Sequence, residues 1–176
     1  MKNITLGNLE IIHLENIMKF FNNNNDMDLF CTNVFKHYND SNILTWYTDK
    51  KSDSRIQMYS ILLKNIFIGY CEIYKIDLHN LSCHISIAIT DSANRGKGYG
   101  KCAIEQLICY IFRNLGLNRI ELMVFDYNLS AINLYEEIGF LREGILREYL
   151  LKNNVFYNVY IYGLLKIDWT KKYDIK

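Results

Sequence analysis

The spacing of apolar residues predicts both strands and helices along this chain. Apolar side chains at every second position predict β-strands over 83–90 and 119–125. Over 99–115 the apolar positions 103, 104, 107, 108 and 111 follow the helical period, which leaves Lys101, Glu105 and Arg113 facing water. The pattern therefore predicts a mixed α and β protein.

Short asparagine-containing turns separate further apolar segments. Lys64-Asn65 lies between 55–63 and 66–74, and 152–154 lies between 141–151 and 155–165, so both pairs are predicted hairpins. A short helix over 130–137 is predicted to end at Gly139. The remaining predictions are a strand over 4–12, a helix over 14–21, a polar turn over 22–26 and a helical segment within 29–47.

A glycine-rich turn, residues 95–100 with the sequence Arg-Gly-Lys-Gly-Tyr-Gly, joins the predicted strand 83–90 to the predicted helix 99–115. Such a turn leaves backbone N–H groups at the helix N-terminus, where the helix dipole also favours an anion. The glycine spacing matches neither a Walker loop nor a dinucleotide-binding fingerprint. The turn therefore predicts a phosphate site of a third kind.

A second motif follows on the chain and suggests which kind. Two strings together resemble the cofactor site of the GNAT superfamily of N-acetyltransferases. They are Arg95-x-x-Gly98-x-Gly100 and Asn128-x-x-Ala131-x-x-x-Tyr135-Glu136-x-x-Gly139-Phe140. Residues 143–148 and 157–169 resemble the ribosomal-protein acetylating (Rim-type) branch, whose relatives include spermidine and amino-sugar acetyltransferases. The resemblance covers roughly residues 65 to 170.

The resemblance implies an α+β fold of the α/β/α sandwich type, with about seven strands in a mixed, mostly antiparallel central sheet and about four helices. The two central strands are expected to splay apart in a V. Half of the 176 residues are hydrophobic, so the chain can bury one good core, and we expect a single domain over 1–176.

The resemblance also implies acetyl-CoA as co-substrate. Backbone N–H groups of the turn would bind its pyrophosphate, with added charge from the arginine and the lysine; these residues are Arg95, Gly96, Lys97, Gly98, Tyr99 and Gly100. The preceding strand would pair with the pantetheine amides and polarise the thioester through a backbone N–H, at Ile87, Ala88 and Ile89. The second motif supplies Asn128, expected on the other side of the pantetheine, and Ala131.

Tyr135 is the predicted general acid. A phenol with a reference pKa of about 10 can protonate the departing CoA thiolate near neutral pH. The competing interpretation is a packed helix-face aromatic, and 14 tyrosines in the chain make any one of them ordinary. The motif match favours the acid.

The general base has two candidate side chains, and a water chain is a third possibility. An alkyl amine is mostly protonated at pH 7, so it must lose a proton before it attacks. His84 lies where many Rim-type relatives carry a glutamate, and imidazole titrates in a suitable range, although a packed structural role also fits. Glu72 alternates with Tyr70 and Tyr74, and a solvated outer face fits it at least as well as an acceptor site.

Composition and charge argue against several classes of partner. A net charge of +1 predicts no nucleic-acid interface, and the N-terminal residues contain no signal peptide core or membrane span, so we expect a cytoplasmic protein. The five cysteines form no Cys-x-x-Cys pair, which predicts reduced, mostly buried thiols and no metal site.

Two classes of function remain open at this point. The first is an N-acetyltransferase that moves acetyl directly from acetyl-CoA to a primary amine of a polyamine, an amino sugar, an aminoglycoside-like compound or a protein N-terminus. The second is a non-catalytic acetyl-CoA-binding sensor or interaction module. In the family the region around 29–47 often shapes the acceptor pocket, and relatives are often dimers, so a homodimer is possible.

Overall fold

The computed structural model describes residues 3–23 and 38–173 of the chain. Its strands are β1 (Ile4–Asn8), β2 (Gln57–Leu63), β3 (Ile66–Asp77), β4 (Ser82–Ile89), β5 (Arg119–Phe125), β6 (Leu141–Lys152) and β7 (Val155–Leu165). The α-helices in these ranges are α1 (Leu14–Phe21), α2 (Asp40–Ser52), α3 (Tyr99–Arg113), α4 (Leu129–Ile138) and α5 (Lys166–Lys172).

All seven strands belong to one mixed sheet in the order β1-β2-β3-β4-β5-β7-β6. The pairs β1–β2, β2–β3, β5–β7 and β6–β7 are antiparallel, and β4–β5 is parallel. The predicted α+β class, strand number and mostly antiparallel sheet are confirmed. The short helix α5 raises the helix count to five among the described residues, against the four or so expected.

The described residues cluster into two compact units. The first comprises the described part of Met1–Ile76 together with Ile85–Leu107, and the second comprises Asp77–His84 and the described part of Ile108–Lys176. A single domain over the whole chain remains a prediction.

In the first unit, β2 and β3 form the predicted hairpin. Lys64 and Asn65 both have positive φ, 50° and 67°. Two consecutive left-handed residues are typical of the type I′ turn, whose twist matches that of paired strands. Helix α1 buries Leu14, Ile17 and Phe20 in the core of this unit.

Two N-terminal predictions change in the structure. The strand predicted over 4–12 ends at Asn8, because Glu10 and His13 exchange hydrogen bonds that begin a short 3-10 turn before α1; Glu10 N donates to His13 Nδ1 at 3.1 Å. The helix predicted within 29–47 runs over Asp40–Ser52, because Asn39 caps it by accepting from Asn42 N at 3.0 Å. Residues 24–26 of the predicted turn and 29–37 of that segment lie outside the described residues.

In the second unit, β4 pairs with β5 over Ser82–His84, the first three of its eight residues. This short register agrees with the predicted splay of the two central strands. Gly139 ends α4 with a φ of 117°, as predicted, and β6 and β7 form the second predicted hairpin through Asn153 and Asn154, both at positive φ.

Helix α3 buries the apolar stripe predicted from its period, and every residue of the stripe is at most 1% exposed: Ala103, Ile104, Leu107, Ile108 and Ile111. Cys102 and Cys109 adjoin this stripe and are only partly buried, so the prediction of mostly buried thiols is too strong for these two. Cys71 and Cys83 are buried free thiols, and burial raises the pKa of Cys83 to about 12.

Across residues 3–23 and 38–173, no helix is long and apolar enough to cross a membrane. Over the same two stretches, no three histidine, cysteine or carboxylate side chains are grouped closely enough to bind a metal ion.

Candidate active site

The predicted phosphate turn connects β4 to α3, as its sequence indicates. Gly96 and Gly98 have φ values of 70° and 74°, a left-handed conformation in which a side chain is strained. A Cβ at Gly96 would meet no atom within 4 Å, so backbone conformation and not crowding requires this glycine. Helix α3 then begins at Tyr99, and a helix N-terminus directs its first N–H groups outward, where they suit an anion.

The approach to this turn is built by Asp91. Its Oδ1 accepts from Ala93 N at 2.9 Å and its Oδ2 accepts from Asn94 Nδ2 at 3.1 Å, which caps a 3-10 turn over Ser92–Asn94. The aspartate therefore has a local structural function that the sequence did not reveal.

Arg95 connects the turn to the end of β4. Its Nε donates to the carbonyl of Ile89 at 2.9 Å and a terminal nitrogen donates to the carbonyl of Thr90 at 3.3 Å. The guanidinium also lies 5.9 Å from the ring centroid of Phe20. Arg95 therefore positions the backbone at the end of β4. Its contribution to pyrophosphate binding remains a prediction.

The strand predicted to meet pantetheine, β4, approaches its neighbour β3 closely at Gly69. A Cβ at residue 69 would lie 2.2 Å from the carbonyl oxygen of Ala88 and 3.0 Å from the Cα of Ile89. Ala88 and Ile89 are buried, whereas Ile87 is half-buried. Gly69 was not singled out from the sequence, although an isolated glycine inside a strand pattern is the usual signal of close backbone approach.

Glu72 is buried, so the interpretation of a solvated outer face is wrong. Its Oε2 accepts from Lys50 Nζ at 2.5 Å, and its Oε1 accepts from Ser86 Oγ at 3.0 Å. Helix α2 supplies the lysine and β4 supplies the serine, so both carboxylate oxygens are engaged by residues distant in sequence. Strand periodicity carries no information about such partners.

Aromatic side chains contact one another around Trp46 of α2 and Tyr70 of β3. We define the aromatic cluster as Phe21, Tyr38, Trp46 and Tyr70. Trp46 makes edge contacts with Phe21 and Tyr70 at centroid distances of 5.3 and 6.1 Å, and Tyr38 lies 4.9 Å from Phe21. Part of the segment expected to shape the acceptor pocket, residues 38–47, thus contributes the rings of Tyr38 and Trp46 to the aromatic cluster.

In the second unit, Asn128 is the N-cap of α4. Its Oδ1 accepts from Ala131 N at 3.2 Å, so the cap joins two residues of the predicted cofactor motif. Tyr135 follows Ala131 by one helical turn, is 8% exposed and contacts Phe140 edge to face at 5.8 Å. The packed aromatic interpretation therefore describes its ring, and its acid function remains a prediction.

His84 belongs to a row of ionisable side chains contributed by β4, β5 and β6. Its Nε2 lies 4.0 Å from Glu121 Oε2, and Glu121 Oε1 accepts from Arg119 Nε at 3.0 Å. Arg119 also donates to Glu143 at 2.9 Å and thereby holds the pKa of that carboxyl below its usual range. Glu121, Arg119 and Glu143 were not predicted, since their proximity depends on strand register.

The predicted site residues therefore fall in both units. Glu72, 87–89 and 95–100 belong to the first unit, and His84, Asn128, Ala131 and Tyr135 belong to the second. Within the first unit the structure joins Glu72 to β4 through Ser86, and Arg95 to the end of β4. Within the second it joins Asn128 to Ala131.

Comparison with known proteins identifies the family. The acetyltransferase (GNAT) domain model matches residues 3–141. The chain is 32% identical over 123 residues to the uncharacterized N-acetyltransferase p20 of Bacillus licheniformis, covering 69% of this chain and 68% of the relative. It is 30% identical over 158 residues to the spermidine N(1)-acetyltransferase of Vibrio cholerae serotype O1, covering 89% of each.

A solved structure extends this similarity to the fold. The crystal structure of spermidine N-acetyltransferase from Vibrio cholerae in complex with CoA and spermine has a TM-score of 0.87 to this chain at 27% identity, over 96% of this chain and 99% of that one. The family model and the spermidine acetyltransferase relative both extend over the glycine turn and the motif at Asn128, so this chain belongs to the GNAT family and is an acetyl-CoA-dependent N-acetyltransferase.

Proposed function

We propose that this enzyme transfers acetyl directly from acetyl-CoA to a primary amine of a small molecule or a peptide N-terminus. The observation that carries the proposal is the passage from β4 through left-handed Gly96 and Gly98 into the start of α3. This arrangement suits a pyrophosphate, because the backbone N–H groups at a helix start and the helix dipole both favour an anion.

The residues of the turn and strand would hold acetyl-CoA in parts. The backbone of 96–100 would bind the pyrophosphate, the edge of β4 at 87–89 would pair with the pantetheine amides, and Asn128 and Ala131 would contact the arm from α4. Acetyl-CoA supplies an activated acyl group. The acceptor nitrogen forms the new bond to the acetyl carbon as the bond to sulfur breaks.

Several proton transfers accompany this reaction. The acceptor ammonium loses one proton to a base before it attacks, and the nitrogen loses a second to solvent as the amide forms. Tyr135 gives a proton to the departing thiolate, from a phenol whose reference pKa of about 10 suits an acid near neutral pH, and regains a proton from solvent. Tyr135 lies on α4 within one turn of Ala131, so the helix that Asn128 caps also carries the acid.

His84 suits the base better than Glu72 does. The two oxygens of Glu72 accept from Lys50 and Ser86, so a proton placed on this carboxylate would disrupt an ion pair. His84 lies 4.0 Å from the Glu121 carboxylate, which favours the imidazolium that forms when the histidine accepts a proton. We propose His84 as the general base, and a water chain that carries the proton away is the alternative.

The acceptor we expect is an aliphatic amine. Spermidine and spermine are named for the Vibrio cholerae proteins similar to this chain. In this chain, a buried carboxylate beside the Trp46 ring suits an aliphatic ammonium. Polyamines therefore come first in the panel, ahead of amino sugars, aminoglycosides and peptide N-termini.

The test is CoA thiol release from acetyl-CoA over that panel, with Tyr135→Phe beside the wild type. We expect one amine class to be turned over and kcat to fall by about 10²- to 10⁴-fold in Tyr135→Phe. Tyr173→Phe, which alters a tyrosine near the C-terminal end of α5, is the matched control and retains activity. Binding of acetyl-CoA without thiol release from any amine would support the sensor module instead.

Two further statements remain predictions. We expect the enzyme in the cytoplasm and as a homodimer. Light scattering on the purified protein measures the mass of the assembly, and a monomer would contradict the second expectation.

A further inference from the structure

The Lys50–Glu72 pair takes no part in the proton transfers proposed above. Among the buried residues of the described chain, Glu72 is the only charged one. A buried carboxylate is strongly unfavourable without a partner, and Lys50 supplies the charge while Ser86 supplies a hydrogen bond. The carboxylate thus depends on an ammonium group at this position.

The surroundings of Lys50 Nζ match those that proteins use to bind free ammonium groups. The nitrogen lies 2.5 Å from a carboxylate oxygen of Glu72 and 5.5 Å from the centroid of the Trp46 ring. A carboxylate supplies charge and a hydrogen bond, and an aromatic face attracts a cation through its quadrupole. The pair reaches solvent, with side-chain exposures of 25% for Lys50 and 12% for Glu72.

The position of this pair connects it to the transfer reaction. Ser86, which donates to Glu72, directly precedes Ile87, the first of the β4 residues proposed to meet the pantetheine arm. The Glu72 carboxylate therefore links a bound ammonium to β4, the strand that would present the acetyl group, because the same carboxylate accepts the hydrogen bond from Ser86. The end of a lysine side chain is itself a primary alkyl ammonium, the same chemical group as the expected acceptor.

We infer that Glu72, Ser86 and Trp46 form a subsite for a primary alkyl ammonium group, which the Lys50 side chain occupies until an acceptor displaces it. The inference rests on the proposed function only in taking the acceptor amine as the natural ligand. Lys50 is then a specificity-determining residue, because every cationic acceptor competes with it for the same carboxylate.

A purely structural ion pair and an ammonium subsite differ in one measurable property. When the lysine is shortened, a structural pair leaves a destabilised carboxylate and nothing more. A subsite instead leaves a space that binds a free alkyl ammonium of the size removed. In Lys50→Ala the missing atoms, Cγ to Nζ, correspond to n-propylammonium.

The experiment is thermal unfolding of Lys50→Ala in n-propylammonium chloride, with equal ionic strength of sodium chloride as reference. We expect the substitution to lower Tm by about 3 to 6 °C and n-propylammonium to restore most of the loss. Lys51→Ala is the matched control, since Lys51 contacts Tyr47 and not Glu72. Wild type and Lys51→Ala should gain much less Tm from the amine, because their Lys50 competes for the same carboxylate, and propan-1-ol should not restore Lys50→Ala.

Equal responses of Lys50→Ala and Lys51→Ala to n-propylammonium would overturn the inference, as would restoration that persists after Glu72→Gln is added to Lys50→Ala. Should Lys50→Ala not fold, Lys50→Met keeps the volume and removes the charge. Its KM for the amine substrate should then fall about threefold or more, the effect of removing one competing ion-pair partner, and an unchanged KM would overturn the inference.

The outcomes separate this inference from the proposed function. Stabilisation of Lys50→Ala by n-propylammonium requires no turnover, so it supports the subsite even when no amine releases thiol. Conversely, the wild type could release thiol while n-propylammonium leaves the Tm of Lys50→Ala unchanged. That result would support acetyl transfer and reject the subsite.

Discussion

Gly69 on β3 faces the carbonyl oxygen of Ala88 on β4 so closely that a Cβ at residue 69 would lie 2.2 Å from it. Backbone atoms cannot move aside as a flexible side chain does, so any larger residue must separate the two strands locally. Because the adjacent residues of β4 are those proposed to bind pantetheine, the packing of β3 determines the geometry of the donor site.

Gly69→Ala should therefore destabilise the protein and weaken acetyl-CoA binding together. Overpacking of this kind costs about 1–3 kcal/mol. Urea unfolding measures the stability, and the KM for acetyl-CoA reports on the strand edge. Gly144→Ala is the control, because its Cβ would meet only ordinary contacts of 3.6 and 3.8 Å to Ile161. Equal effects of the two substitutions would contradict the assignment.

Gly96→Ala tests the phosphate turn by backbone conformation alone. A Cβ there would meet no atom within 4 Å, so the substitution strains the φ of 70° without a steric clash. We expect a cost of about 1 kcal/mol in unfolding free energy and a larger relative loss of CoA affinity, measured by isothermal titration calorimetry. Gly116, at a φ of 68° and equally open, gives the matched control: Gly116→Ala should lose stability and keep its CoA affinity.

Asn22 and Tyr38 fix the two ends of the segment that joins α1 to α2. Tyr38 N donates to Asn22 Oδ1 at 2.7 Å, and Asn22 Nδ2 donates to Tyr38 O at 2.8 Å. Asn22→Ala removes both bonds and should cost about 1–3 kcal/mol. Because Tyr38 belongs to the aromatic cluster, the KM for the amine should rise while the KM for acetyl-CoA stays unchanged in steady-state kinetics. Asn114→Ala, at an exposed helix end, should change neither.

The Arg119–Glu143 ion pair predicts a pH dependence of stability on the acid side. Hydrogen bonding to Arg119 lowers the folded-state pKa of Glu143, so the stabilisation is fully present above the unfolded pKa of about 4.3 and is lost as pH falls through the folded pKa. The side chain of Glu143 is 39% exposed, so the effect is modest.

A double-mutant cycle isolates this contribution. Arg119→Met, Glu143→Gln and the double variant are unfolded in urea from pH 3 to pH 7. The coupling between the two residues should be favourable at pH 7 and shrink below about pH 4. A coupling that is constant over this range would show that the pair contributes no pH dependence.

Local patterns predicted much of the fold because local chemistry determines those elements. The bounds of β5 and of α1 follow from periodicity, and both hairpin turns follow from asparagine at left-handed positions. Gly139 ends its helix for the same local reason. The end of β1 and the start of α2 depend on reciprocal caps at Glu10 and Asn39, which periodicity does not detect.

The candidate site was predictable as motifs but not as contacts. Positions 95–100 and 128–135 were found because their glycine and asparagine spacing is a sequence feature. The partners of Glu72 and His84 were missed because Lys50 and Glu121 reach them only through the packing of a helix and the register of two strands. Arg95 was predicted as a phosphate ligand, and its hydrogen bonds to the end of β4 depend on the tertiary path of the chain.

Strand β4 has a consequence for how this enzyme can acquire new substrates. Within one short stretch, Ser86 donates to the Glu72 carboxylate proposed to bind the acceptor, Ala88 packs closely against β3, and the carbonyl of Ile89 accepts from Arg95. A replacement along this stretch would alter donor and acceptor recognition at once, so adaptive change there is heavily constrained. Substitutions that change the substrate range are expected on α2 instead, because Trp46 and Lys50 can change without altering the residues proposed to bind acetyl-CoA.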